Sequence, residues 1–431
     1  MTTGHQLEKI MNRKKLILCS GIANTFEWYD YALFGNFAGL IGAKFFPNSD
    51  PKVALLNAFA VFAVGYLMRP LGGVFFGVIG DRFGRKFSLS ISIICMSLPT
   101  AVIGLLPTYD DIGVTASVLM VLMRMIQGLS MGGALTGSIS FLIEHTEKKN
   151  RGLVGSVPMA SICLGILLGT LVSYFSREML SHDQFDSWGW RLPFIIGILI
   201  LFVGVYIKNY MEETPLFEDM KAKGTLTKSP LKVVFRDHWF DMLVSIMINS
   251  TGSVLFYFQA IYVANFLKFT RDFSDSMVDK LSAISYLIMA FACIFAGKLS
   301  DMIGRRRVFV LLIVVICLSI QFITKTLQFG DWNFVFMSQI FLGLLAAFFI
   351  GPEPALQAEF YPTQVRSTAL SISYNLATSL FGGTTPYIIT YLYNETSSLN
   401  GCGYYIIITS FFTLVGLYFY KNRCKDLEYL R

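Results

Sequence analysis

The chain divides into a dozen apolar segments, each long enough to cross the roughly 30 Å hydrocarbon core of a bilayer as a helix of about 20 residues. They lie near 16–41, 53–79, 87–106, 114–143, 152–176 and 190–210, then, after a polar gap, near 239–267, 279–298, 308–327, 333–358, 367–393 and 403–420. Composition closes off a water-soluble reading of these runs. Apolar residues make up 54% of the 431 and charged residues 15%, too few charges to cover a soluble surface without large apolar patches. The first apolar run follows the basic residues Lys9, Arg13, Lys14 and Lys15 and lacks a small-residue cleavage site, so it reads as a retained first span. The seven cysteines (19, 95, 163, 293, 317, 402 and 424) are odd in number, form no CxxC pair and mostly sit inside apolar runs. Neither a disulfide framework nor a metal site is expected.

The net charge of +7 is distributed by topology. With the N-terminus taken as cytoplasmic, 25 of the 35 Lys and Arg fall in alternate, cytoplasmic segments, 8 in the opposite loops, and Arg69 and Arg124 inside spans. By the positive-inside rule both termini are cytoplasmic, and the charge signals membrane orientation instead of nucleic-acid binding. The longest cytoplasmic gap, 211–238, then separates six spans from six. The expected organisation is an N-terminal six-helix bundle (1–210), a cytoplasmic linker (211–238) and a C-terminal six-helix bundle (239–431) in an all-α integral membrane protein.

The halves repeat. GVIGDRFGRK at 77–86 returns as GKLSDMIGRR at 297–306, and Glu144 with Arg151 returns as Glu359 with Arg366. The offsets, 220 and 215, are nearly equal, and each landmark falls at the same cytoplasmic edge. Two such echoes imply duplication, and membrane proteins built from repeats bind their solute near the midplane between the repeats. In the loop pattern GxxxD(R/K)xGR(R/K), Gly77 permits close helix contact and Gly84 a tight turn. Asp81 suits a helix N-terminus, and Arg82, Arg85 and Lys86 have acids such as Glu144 to pair with. Asp301, Gly304, Arg305, Glu359 and Arg366 are the second copy, with Met302 where the first has Arg82. Such pairs would latch one side shut and break as it opens.

This loop is the hallmark of the major facilitator superfamily, which the chain resembles. NTFEWYDY (24–31), GYLMRPLGG (65–73), RMIQGLSMGG (124–133), WGWRLPF (188–194) and EETPLF (212–217) are similar to the metabolite/proton symporters, among them proline/betaine, α-ketoglutarate, citrate and shikimate carriers. The resemblance runs from the first span to the last. It implies a secondary transporter with the major facilitator fold, two pseudo-symmetric six-helix bundles importing a small zwitterionic or anionic metabolite with protons by alternating access. One departure is Ala134, after Gly132-Gly133, where the family usually carries Glu.

Charges inside spans are the strongest residue-level signal, because a charge at the bilayer centre is costly and faces the interior. Glu27 and Asp30 share one face of the first helix, and Arg124 has Gln127 one turn on. Two acids and two bases in one cavity can exchange a proton for an ion pair. On this reading Asp30 or Glu27 carries the proton, Arg124 receives a substrate carboxylate and Arg69, before Pro70, packs structurally; fixed ion pairs that only lock the helices together are the alternative. Trp28, Tyr29 and Tyr31 beside the acids could face a quaternary ammonium or simply pack. Asn249, Gln259, Asn265 and Asn375 line a cavity or bond helix to helix. Glu353, between Pro352 and Pro354, marks a hinge, as does Gly382-Gly383 before Pro386.

The expected partners are a small solute, protons and the lipid of the cell (inner) membrane, with no nucleic acid; the chain is expected to be a monomer with no cofactor besides the coupling proton. An exporter or exchanger of the same superfamily would share the fold and latch but not the EWYD and RMIQG stretches, and a receptor that senses a solute would keep the fold. The four His lie outside the spans, which disfavours an intramembrane enzyme, and no GxxxxGK(S/T) loop exists to drive a pump with ATP.

Overall fold

The computed structural model describes residues 2–47 and 51–420, and among them every regular element is a helix. Lys421, Arg423, Lys425 and Arg431, counted above as cytoplasmic cations, and Cys424 lie outside the described residues, as do the side chains of Lys9, Arg13, Lys14 and Lys52. Backbone in lipid has no water to bond, so each crossing segment satisfies itself as a helix. All twelve expected segments do so.

The first half contains α1 (Thr2–Asn36, resuming after Phe37 as Ala38–Phe45), α2 (Pro51–Phe83) and α3 (Arg85–Leu105). It continues with α4 (Val114–Glu144), α5 (Arg151–Gly155 and Val157–Met179) and α6 (Arg191–Tyr210). The second contains α7 (Trp239–Lys268), α8 (Asp275–Ile303), α9 (Arg305–Phe329) and α10 (Trp332–Phe360). It ends with α11 (Arg366–Ala377, a wide π turn at Thr378–Gly383, then Thr385–Thr396) and α12 (Asn400–Phe419). The linker folds into two short helices, Pro215–Ala222 and Pro230–Asp237, the first capped by the Thr214 hydroxyl.

Among the described residues nine helices are long and apolar enough to cross a membrane; α1, α2 and α11 are not among them. The reason in α1 and α11 is polar content turned inward. Asn24, Glu27 and Asp30 of α1 and Ser367, Thr368, Ser371, Ser373 and Asn375 of α11 are all buried. The outside shows the reverse pattern: Phe291, Leu318, Phe322 and Met337 are each at least two-thirds exposed, as lipid-facing side chains are.

Small residues bring the helices together. A Cβ on Gly72 would stand 1.8 Å from the Leu129 carbonyl oxygen, and one on Gly128 1.9 Å from that of Gly65, so α2 and α4 meet backbone to backbone. Gly165 and Gly169 do the same for α5 against α1. Between the halves, α2 packs on α11 and α5 on α8. The sequence repeat exchanges these two pairs, so the interface has the pseudo-symmetry of the duplication. Both hairpins, α2–α3 and α8–α9, lie on one side of the molecule, termed here the basic face. Each turns at a glycine with positive φ, Gly84 at +114° and Gly304 at +94°.

Candidate functional site

On the basic face each repeated aspartate seals the start of a helix in the other half. Asp81 accepts the Ser367 and Thr368 amides at 3.1 and 2.8 Å, the first turn of α11. Asp301 accepts those of Gly152 and Leu153 at 2.8 and 2.9 Å, the first turn of α5. Both carboxylates satisfy orphan helix donors and face the positive end of the dipole. Gly77 and Gly297 make the approach possible, since a Cβ would sit 2.8 Å from the Thr368 Cα and 2.4 Å from the Gly152 carbonyl oxygen.

An ion-pair network lies behind each cap. Arg85 bonds Asp81 (3.1 Å) and Glu144 (3.3 Å), and Glu144 reaches across to Arg366 (2.9 Å). In the second copy Arg305 bonds Asp301 (3.1 Å) and Glu359 (2.6 Å), and Glu359 reaches Arg151 at 3.8 Å. Two of the expected latch cations do not join. Arg82 is exposed, its guanidinium 5.9 Å from the Phe83 ring, and Lys86 contributes only its backbone amide, to Glu213. Neighbours on a helix diverge by about 100°, so turning Asp81 and Arg85 into the interface turns Arg82 and Lys86 out of it. Met302, at the place of Arg82, is 72% exposed and therefore costs the second latch nothing. The second latch is nonetheless the wetter one: Arg305 and Glu359 keep about 10% exposure, whereas Arg85 and Glu144 have none.

The linker completes the first latch. Glu213 accepts the Arg85 and Lys86 amides at 3.0 and 3.1 Å, capping α3, and the Thr214 hydroxyl donates to Glu144 at 2.7 Å. Burial pushes the Glu213 carboxyl up from its ordinary value, against the pull of the Thr214 and Lys86 amides. A Cβ on Gly84 would lie 2.1 Å from this carboxylate, while around Gly304 nothing stands within 4 Å.

Deeper in, Asp30 bonds Arg124 at 2.9 Å, and Gln127 donates to Asp30 (3.1 Å) while accepting from Arg124 (2.8 Å). Thr100 of α3 accepts the second Gln127 proton at 2.8 Å, and the Arg124 guanidinium lies 3.6 Å over the Phe34 ring. Asp30 and Arg124 are both buried, yet among the described residues one carboxylate oxygen and two guanidinium nitrogens have no hydrogen-bond partner. Glu27, one turn nearer the basic face, is also buried, with one oxygen unpartnered among the described residues; it feels the charge of Arg69 without an ion pair to it. Arg69 stands out more than its expected packing role suggests. It is buried, lies 5.1 Å from the Tyr66 ring, and interacts with Tyr257 and Tyr374 of the other half. Tyr31 packs edge-on to Tyr66 at 5.3 Å, and the Tyr66 and Tyr257 hydroxyls share a hydrogen bond across the bundles.

The central cavity is walled mainly by the second half, by Asn249, Ser253, Phe256, Tyr257, Glu353, Tyr374 and Thr378, with Trp28 from α1 and Met159 and Ile162 from α5. Of the expected site residues, Glu27, Asp30, Tyr31, Arg69, Arg124 and Gln127 are not among its lining residues. Sequence reasoning passed over Glu353 as a ligand. The signal was there, an acid inside an apolar span, but its flanking prolines drew it into the hinge reading. The helices do break at this level: α7 widens at Phe258–Tyr262, α10 at Gly351-Pro352 and α11 at Thr378–Gly383. Wide turns inside helices frequently attend functional sites. Of the remaining amides, Gln259 bonds Ser285, Asn265 its own helix, and Asn375 the Gly132 carbonyl across the halves.

Residues 16–236 match the family model described as sugar (and other) transporter, and residues 250–426 the one described as major facilitator superfamily. The chain is 32% identical, over 96% of its length and 85% of the relative's, to the glycine betaine/proline/ectoine/pipecolic acid transporter of Dickeya dadantii. It is 31% identical to the proline/betaine transporter of Escherichia coli K12, over 94% of its length and 82% of the relative's. The chain belongs to the major facilitator superfamily. It is a membrane transporter, not an enzyme. A solved structure of a proton:xylose symporter of this superfamily, bound to 6-bromo-6-deoxy-D-glucose, superposes with a TM-score of 0.76 at 18% identity, covering 98% of this chain and 99% of that one. An inward-open xylose transporter from E. coli superposes at 0.66 with 20% identity, covering 97% and 99%. These likenesses establish the fold.

Proposed function

We propose that this transporter is a proton-coupled importer of a small zwitterionic or anionic metabolite, with proline- and betaine-like solutes foremost because of its named relatives. The observation that carries the reading is the buried Asp30–Arg124–Gln127 network, one acid bonded to one base with unsatisfied polar atoms on both. A proton taken up by Asp30, or by Glu27 beside Arg69, weakens the hold on an arginine, and a guanidinium released from its carboxylate is free to receive that of a solute. The two units, 1–210 and 239–431, rock about the solute while 211–238 spans them. The basic face is the cytoplasmic one, with both termini on that side of the inner membrane, and its two latches hold the cytoplasmic side closed in this conformation. The transporter works as a monomer, with the proton as its only coupling ion.

The test is uptake by the purified chain in proteoliposomes, with proline, glycine betaine and di- and tricarboxylates offered with and without a proton gradient. Gradient-dependent uptake of one class is expected, and Asp30→Asn should abolish it while sparing solute exchange across the membrane. Loss of both activities in the variant would reduce Asp30–Arg124 to a fixed helix tie. Wild-type uptake indifferent to collapse of the gradient would end the symport reading.

A further inference from the structure

Glu353 has no part in the latches or in the charge network of the first half. It is 3% exposed, and Gln357 donates to one of its oxygens at 2.7 Å. Its other oxygen lies at the cavity wall, 3.3 Å from where a Cβ of Gly252 would stand. Around it the cavity is lined by the aromatic side chains of Trp28, Phe256, Tyr257 and Tyr374. A lone carboxylate among aromatic rings, with no Lys or Arg on the cavity wall, is a site for a cation that sheds its water readily. The remaining groups are donors in search of an acceptor: Trp28 and Asn249 line the same cavity, and their Nε1 and Nδ2 are buried with no hydrogen-bond partner among the described residues, as are Nε and Nη1 of Arg69 beside Tyr257. A buried donor left unmatched is costly, and an anionic group would satisfy these.

We infer that Glu353 and the rings around it receive the cationic head of a zwitterionic solute, a quaternary or secondary ammonium, while Trp28 and Asn249 of the same cavity wall donate to its carboxylate. The inference rests on the reading of the chain as a small-solute carrier, and it narrows the solute class: a di- or tricarboxylate would bring like charge against Glu353 in a site of low dielectric. A proton on Glu353 would remove the attraction for the cation, so the coupling proton of a symporter belongs on Glu27 or Asp30. The rest of the cavity is uncharged, which makes Glu353 the residue that distinguishes a zwitterion from its anionic isostere.

The experiment measures binding of two shape-matched probes to the full chain in lipid nanodiscs: glycine betaine and 3,3-dimethylbutanoate, in which carbon replaces the charged nitrogen. The wild type should prefer betaine by about tenfold or more, Glu353→Asp should keep that preference, and Glu353→Gln should shrink it to roughly threefold or less. An unchanged preference in monodisperse Glu353→Gln overturns the assignment. So does a wild type that binds the two probes equally, which needs no variant at all. A wild type that ignores both probes but binds and takes up a dicarboxylate with protons overturns the zwitterion site and leaves the symporter standing. Failure to bind or transport any of these solutes overturns both.

Discussion

The two latches differ in burial, and that difference sets the size of an effect. Glu144 bonds Arg85, Arg366 and the Thr214 hydroxyl, with its side chain and both arginines fully buried. In Glu144→Gln, Arg85 keeps Asp81 at 3.1 Å, whereas Arg366 keeps only the carbonyls of Ala358 and Tyr361, at 2.8 and 3.2 Å. Removing one partner of a buried pair costs about 3–5 kcal/mol. With Arg85 still paired, the lower end applies, about 3 kcal/mol, or roughly two powers of ten in the equilibrium between closed and open basic face. Glu359→Gln removes a partner from a latch that water already reaches, and about 1 kcal/mol is the appropriate scale. The readout is the labelling rate of a cysteine placed at Ser371, which is buried and bonds Thr136 across the halves at 2.7 Å. In a background free of native cysteines, labelled from the basic side, Ser371→Cys should react about a hundredfold faster with Glu144→Gln. With Glu359→Gln it should react severalfold faster. Equal rates in the two variants would refute the argument from burial. A fall in thermal stability with no change in labelling would show that the pairs hold the bundle together without gating it.

Two further substitutions test the packing. Alanine at Gly84 or Gly304 forces a side chain into a backbone region that costs of order 1–3 kcal/mol. Only Gly84→Ala also displaces the Glu213 carboxylate, so its melting temperature should fall further than that of Gly304→Ala, and equal falls would deny the linker a part in the latch. Gly72→Ala sets a methyl group 1.8 Å from the Leu129 carbonyl, backbone against backbone with no rotamer to relieve it; it should leave no monodisperse protein by size exclusion, whereas Gly383→Ala, with its nearest atom at 3.9 Å, should purify normally.

Much of this architecture was legible in the chain because a bilayer enforces simple rules. Length and apolarity located the twelve helices, to within a turn or two at most ends. The two landmarks at nearly one offset marked the duplication; Arg85 does pair with Glu144 and Arg305 with Glu359, each within its own half, while Asp81 and Asp301 cap helices of the opposite half. Arg82 and Lys86 show where the motif overreached, since a run of cations cannot all face one way on a helix. The linker helices and the Glu213 cap were not foreseen, because a polar stretch carries little sign of what it will dock against.

The sequence by itself determined the membrane setting, the helix count, the duplication and the rarity of charges inside spans, all consequences of the cost of polar groups in hydrocarbon. Only the tertiary structure decided which of those charges meet. Asp30 finds Arg124, Arg69 lies among tyrosines of both halves, and Glu353 opens onto the cavity while the acids of α1 stay behind its wall. Helical period places residues on a face, but which faces converge depends on glycine contacts and broken turns far apart in the chain. For the same reason the cavity belongs mainly to the half whose helices α7, α10 and α11 break at its level.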